Sequence, residues 1–106
     1  MKKSKKKSPG AAKPRARARP AVVEIYCTSQ AQEDIAWWRK HDQKLAERIE
    51  TLIADIRRNP FSGIGKPEPL KHGWQGYWSR RINDEHRLVY RLEAGVLYVA
   101  QARYHY

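Results

Sequence analysis

The sequence predicts an α+β domain in which two N-terminal helices pack on a small antiparallel sheet. Leu45, Ile49, Leu52, Ile53 and Ile56 recur at i, i+4, i+7, i+8 and i+11, the stripe of an amphipathic helix. Further on the period changes to two. Trp78, Ile82, Leu88 and Tyr90 are spaced by alternation around Asn83-Asp84, a turn signal, and predict a β-hairpin. With 106 residues the chain is long enough for one domain with one modest core.

The elements follow in order. Residues 1–20 hold nine Lys/Arg and no acid, without apolar periodicity, so this Lys/Arg/Ala/Pro stretch is expected to be disordered. Three readings of it stand side by side. It is an electrostatic arm for nucleic acid, a dispensable extension, or the result of a start codon placed too early, with Val22 or Val23 as the initiator. Residues 21–106 are the expected folded domain. Val23, Ile25 and Cys27 alternate with Val22, Glu24 and Tyr26 as a first strand, with Cys27 as a small core residue. Thr28 or Ser29 caps a helix running towards Lys40, from which Ile35 and Trp38 face the core. Trp37 cannot share a face with its neighbour Trp38 and is expected to be partly buried. Asp42 caps the second helix, which runs to about Arg57 and leaves Glu47, Arg48, Glu50 and Asp55 on its wet side. Asn59-Pro60 ends it.

Residues 61–74 form a Gly/Pro-rich loop, long enough to favour a functional role, with Glu68 stiffened between two prolines. In the hairpin, Trp78, Ile82, Leu88, Tyr90 and Leu92 are expected to point inward. Ser79, Arg81, Arg87, Val89 and Arg91 then point outward. Glu93-Ala94-Gly95 turns the chain into a last strand over residues 96–106. Its second face, Leu97, Val99, Gln101, Arg103 and His105, ends on the open surface that carries Arg81 and Arg87, and Tyr106 closes the chain.

Composition narrows the function. The formal net charge is +11, but residues 21–106 hold 13 basic and 11 acidic side chains, so the tail sets the high charge and the domain is mildly basic. A single cysteine, Cys27, excludes an intramolecular disulfide and a cysteine-rich metal site. No apolar run approaches a bilayer span, and no apolar stretch follows the basic N-terminus as in a secretory signal, so a soluble cytoplasmic protein is expected. The four histidines, His41, His72, His86 and His105, lack metal-ligand spacing, so no metal or other cofactor is expected.

What remains is a carboxylate on a stiff loop, arginines on an open sheet face and a terminal His-Tyr pair. RNA cleavage can be built from such a set. A base takes the ribose 2′-hydroxyl proton, cations stabilise the phosphorane, and an acid protonates the leaving 5′-oxygen. A histidine with a near-neutral pKa suits the acid. Against this stands the plainer reading of Glu68 as a turn acid paired with Lys66 or Lys71.

Several collinear motifs carry a resemblance: Arg57-Arg58-Asn59-Pro60-Phe61, Gly65-Lys66-Pro67-Glu68-Pro69-Leu70-Lys71-His72, Trp78-Ser79-Arg80-Arg81-Ile82, Glu85-His86-Arg87-Leu88-Val89-Tyr90 and the ending Arg103-Tyr104-His105-Tyr106. Across residues 23–106 the chain resembles YoeB-type toxins of the RelE superfamily. The resemblance implies the RelE-like microbial RNase fold and an endoribonuclease that cuts mRNA in the ribosomal A site. It implies Glu68 as general base, His105 as the catalytic histidine and general acid, Arg87 as transition-state cation and Tyr106 as substrate-orienting tyrosine. Lys71 and Arg81 match basic residues near the scissile phosphate, and His72 and His86 match motif positions that are structural or RNA-proximal. The implied partners are a cognate YefM-like antitoxin with a disordered C-terminal segment, the 70S ribosome with its mRNA and rRNA, and a second copy in a homodimer. The basic tail lies outside the family pattern, and Ile64 stands where the family often has a lysine. Two rivals from other classes use the same residues: a non-catalytic RNA- or ribosome-binding module, and a DNA-binding protein dominated by its tail.

Overall fold

The computed structural model describes residues 22–104. The expected tail at residues 1–20, and His105 and Tyr106, lie outside the described residues. The elements are β1 (Glu24–Cys27), α1 (Ser29–His41), α2 (Gln43–Arg58), β2 (Glu68–Pro69), β3 (Trp78–Arg81), β4 (Arg87–Glu93) and β5 (Val96–Gln101). Two helices pack on a five-stranded sheet of order β1-β5-β4-β3-β2, an α+β fold.

Both helices begin where the capping residues place them. Thr28 Oγ1 accepts from Ala31 N at 3.0 Å, and Asp42 Oδ1 accepts from Leu45 N at 3.2 Å. Ile49, Leu52 and Ile56 are buried from α2, and Trp38 from α1, against Leu88, Tyr90, Leu97 and Val99 of the sheet. Cys27 packs against this cluster, and burial pushes its thiol pKa up.

The sheet is mixed, not wholly antiparallel: β1 runs parallel to β5, with Ile25 opposite Leu97 and Tyr26 opposite Tyr98. The helices carry the chain away from β1, so the hairpin that follows delivers β5 to that edge in the same direction. The loop expected over residues 61–74 includes β2, which pairs with β3 through Glu68 opposite Ser79. The hairpin turn forms at the expected place, with Asn83 Oδ1 accepting from Glu85 N and His86 N at 2.9 and 2.8 Å. Ala94 and Gly95 join β4 to β5 with φ of +52° and +81°, the left-handed pair that a two-residue hairpin loop requires.

The last strand differs most from expectation. It ends at Gln101, and its register shifts so that Tyr90 faces Val99 while Val89 faces Gln101. Ala100 is the extra residue of a bulge, and its carbonyl accepts from Thr28 Oγ1 at 2.7 Å. The bulge reverses the alternation: Leu97 and Val99 face the core, Gln101 shares Val89's face, and Ala102 returns to the core. Arg103 does not reach the open surface. Its guanidinium lies 3.6 Å above the Trp37 ring of α1. Among the described residues, no helix is long and apolar enough to cross a membrane.

Candidate active site on the open sheet face

The face away from the helices is read from the strand register. Leu88, Tyr90 and Leu92 belong to the core, so Arg87, Val89 and Arg91 point the other way. Three cross-strand rows result. Arg81 sits opposite Arg87. Beside them run Glu68, Ser79, Val89 and Gln101. The third row holds Leu70, Tyr77, Arg91, Tyr98 and Tyr26, with Leu70 N donating to Tyr77 O at 2.9 Å. Successive rows are two residues apart, about 7 Å along the strands. The fold therefore brings Arg81 and Arg87 to one face, as the alternation predicts, and β2 adds Glu68, expected on a loop, to the same face. Ser79 and Val89 also point that way, but they are buried instead of exposed.

Arg81 and Arg87 are unusual neighbours. Directly opposed residues hold their Cβ atoms about 5 Å apart, and like charges there repel. Arg87 is half-buried, and its Nη1 is buried without a hydrogen-bond partner among the described residues. A buried guanidinium N–H with no acceptor is costly. An anionic oxygen between the two arginines removes both penalties.

Glu68 is exposed, and its backbone is fixed from both sides. After it, Pro69 pairs with Trp78. Before it, the chain is clamped by Arg80, which sequence reasoning quoted in a motif but gave no role. Alternation from Trp78 and Ile82 turns Arg80 inward, and it is fully buried. Its Nε donates to Tyr90 Oη at 3.2 Å. Nη1 donates to Asp55 Oδ2 at 2.5 Å and Ile64 O at 3.1 Å. Nη2 donates to Asn59 O at 2.5 Å and Ser62 O at 2.8 Å. All five N–H donors of the guanidinium are used. Asp55, expected on the wet side of α2, is recruited by this clamp, and its hydrogen bond from Arg80 holds its carboxyl below the usual carboxylate range. Gly63, at φ +124°, passes so close that a Cβ there would collide with the Asp55 carboxylate. Arg81 N then donates to Gly65 O at 2.7 Å, three residues before Glu68.

Pro69, Leu70, Lys71, His72 and Trp74 line a groove of about 400 Å³. Lys71 and His72 are exposed there, and His72 adopts a left-handed φ of +54° that turns the chain around the groove. His86 is used internally. Its Nδ1 accepts from Tyr104 N at 2.5 Å, which assigns its ring proton to Nε2 in the neutral form. Its ring packs edge-on against Trp38, with centroids 4.8 Å apart. Arg87 N donates to Tyr104 O at 2.9 Å. One step earlier, Ala102 N donates to Asp34 Oδ2 at 2.9 Å, and Trp38 Nε1 donates to Ala102 O at 2.7 Å. The chain is thus held through Tyr104 at the start of β4, beside Arg87. His105 and Tyr106 follow outside the described residues.

The family model describing a YoeB-like toxin of bacterial type II toxin-antitoxin systems matches residues 27–106. Toxin YoeB of Streptomyces coelicolor is 55% identical over 84 residues, covering 79% of this chain and all of that protein. Toxin YoeB of Escherichia coli K12 is 45% identical over the same shares. Among solved structures, a YoeB/ParE toxin from Agrobacterium tumefaciens superposes with a TM-score of 0.76 at 45% identity, over 79% of this chain and all of that one. A YoeB–YefM heterotetramer from Staphylococcus aureus gives 0.72 at 42% identity, over 86% of this chain and all of that one. With fold and sequence in agreement, the chain belongs to the YoeB-like toxins of bacterial type II toxin-antitoxin systems.

Proposed function

We propose that this toxin is a ribosome-dependent endoribonuclease that cuts mRNA in the ribosomal A site and so inhibits translation. The observation that carries the reading is the opposed pair Arg81 and Arg87, with the Arg87 Nη1 buried and unpartnered among the described residues, on the same face as Glu68. That arrangement fits a phosphodiester. The pair holds the scissile phosphate, and Glu68 takes the proton from the ribose 2′-hydroxyl. The 2′-oxygen bonds to phosphorus while the bond to the 5′-oxygen breaks, and His105 gives that oxygen its proton. The products are a 2′,3′-cyclic phosphate and a 5′-hydroxyl. Arg87 neutralises the charge that builds on the phosphorane, and Tyr106 orients the substrate. Lys71 and His72 hold RNA at the groove mouth. His86 contributes by anchoring Tyr104, two residues before the terminal tyrosine. No cofactor enters this scheme.

The partners follow from the same face. A YefM-like antitoxin with a disordered C-terminal segment covers the arginines as it folds on binding. The Staphylococcus aureus relatives include YoeB–YefM complexes and a YoeB dimer, which supports an antitoxin and a homodimer here. The 70S ribosome presents the mRNA, in keeping with a domain that is only mildly basic.

Primer extension on an mRNA under translation in a reconstituted system tests the reading, with wild type and Glu68→Gln in parallel. New 5′-ends inside A-site codons, with wild type only and with ribosomes only, are expected. Equal cutting by both removes Glu68 as base. Ribosome binding without cutting by either turns the reading to a non-catalytic RNA- or ribosome-binding module.

A further inference from the structure

The third row of the open face has no part in the chemistry above, yet its side chains interlock. The Tyr26 and Tyr98 rings meet edge to face with centroids 5.8 Å apart. The Arg91 guanidinium lies 4.3 Å over the Tyr98 ring and 5.8 Å over the Tyr77 ring. Tyr77 meets Trp74 at 5.1 Å, at the edge of the groove beside Glu68. An unbroken run of π faces and one guanidinium therefore crosses the sheet from its β1 edge to the candidate site. Tyr26 is 56% exposed, and Tyr77, Arg91 and Tyr98 are half-exposed.

We infer that the row Tyr77, Arg91, Tyr98 and Tyr26 is a stacking platform for single-stranded RNA, taking up the nucleotides next to the cut. The inference rests on the reading of this face as the one that cuts RNA. Three features favour RNA as the occupant. The row lies on the face of Glu68 and Arg87, one two-residue step from Glu68, so a strand crossing the site runs directly onto it. Its exposed groups are flat rings with polar tips and a guanidinium, the side chains on which unpaired bases stack. No aliphatic side chain interrupts the row between Tyr77 and Tyr26, so its surface is continuous π face and guanidinium, on which successive bases can stack. Arg91 is also ion-paired with Glu93. The row is therefore close to neutral and holds bases through their faces, whereas Arg81 and Arg87 hold phosphate through charge.

That division of labour supplies the test. In full-length Glu68→Gln, which leaves RNA uncut, affinity for a short fluorescein-labelled single-stranded RNA is measured by anisotropy across a salt series. Tyr26→Ser alters an exposed ring, and Tyr98→Leu keeps a half-buried position filled. Each is expected to weaken binding about fivefold or more without changing the salt slope. Arg87→Ala in the same background lowers the slope by about 0.7. Photo-crosslinks from 4-thiouridine RNA are expected on Tyr26, Tyr77 or Tyr98. Unchanged affinity in both tyrosine variants overturns the platform. So does a loss of self-association in Tyr26→Ser with RNA binding intact, which assigns the row to a second copy of the chain. A wild type that binds through the row but does not cut translated mRNA refutes the nuclease reading alone. A wild type that cuts, beside tyrosine variants that bind normally, refutes the platform alone.

Discussion

Arg80 and Arg81 are consecutive in the chain and opposite in every physical respect. Arg80 points into the domain, is fully buried, and has an acceptor for each of its five N–H groups. Arg81 points to the open face and stands against a second arginine, Arg87, whose Nη1 is buried without an acceptor among the described residues. Around Arg80 the electrostatics are closed within the protein, and around Arg81 and Arg87 they are left incomplete. The first arrangement holds a loop in place, and the second is poised for an anion.

The largest effect tests the closed side. Arg80→Leu leaves Asp55 with only Arg58 and the Ile64 N–H as donors and strands the carbonyls of Asn59, Ser62 and Ile64 in a buried site. A loss of about 3–5 kcal/mol in urea unfolding is expected. Next comes Arg87→Ala, expected to slow A-site cleavage about 10²- to 10³-fold with little change in the unfolding midpoint. A large stability loss in Arg87→Ala would show that its side chain has a structural partner after all, and the contrast between the faces would fail.

The third test is by pH. The Arg80 hydrogen bond lowers the Asp55 pKa in the folded state, so the unfolded chain holds the proton more tightly. That stability is fully present above the unfolded carboxylate value, about 3.9, and is lost as pH falls towards the folded value. Asp55→Asn is therefore expected to be less stable than wild type at pH 7, with the gap narrowing below about pH 4. A gap that stays constant down to pH 3 would mean that Asp55 contributes shape but not charge.

How much of this was legible in the sequence depended on range. Helix caps and stripes are local, and Thr28, Asp42 and the Leu45 to Ile56 spacing placed both helices. Strand alternation put Arg81 and Arg87 on one face, because period two survives wherever the ladder is regular. It failed in β5, where Leu97 and Val99, expected on the face that ends at the open surface, lie in the core. A bulge at Ala100, whose carbonyl is bound by Thr28, 72 positions away, restores Gln101 to the open face. Beyond the strand's end Arg103 lies over Trp37. The parallel pairing of β1 depends on where the chain returns, which no local pattern records. Asp55 looked like a solvated helix acid because its partner lies 25 residues on. The row of Tyr77, Arg91, Tyr98 and Tyr26 comes from four separate segments, and only the register assembles it.

The smallest expected effect has the opposite sign and separates the two faces most sharply. Replacing Arg81 with alanine removes one of two like charges facing each other across β3 and β4. If the open side is truly incomplete, the free protein should gain stability, by about 0.2–0.5 kcal/mol, because directly opposed like charges destabilise a strand pair. The gain should shrink as salt screens the repulsion. It should reverse when a short single-stranded RNA is present, since wild type binds that ligand more tightly and is stabilised in proportion. Urea melts with and without RNA at two salt concentrations would decide it. A variant that is less stable than wild type in every condition would mean that Arg81 serves the fold as Arg80 does.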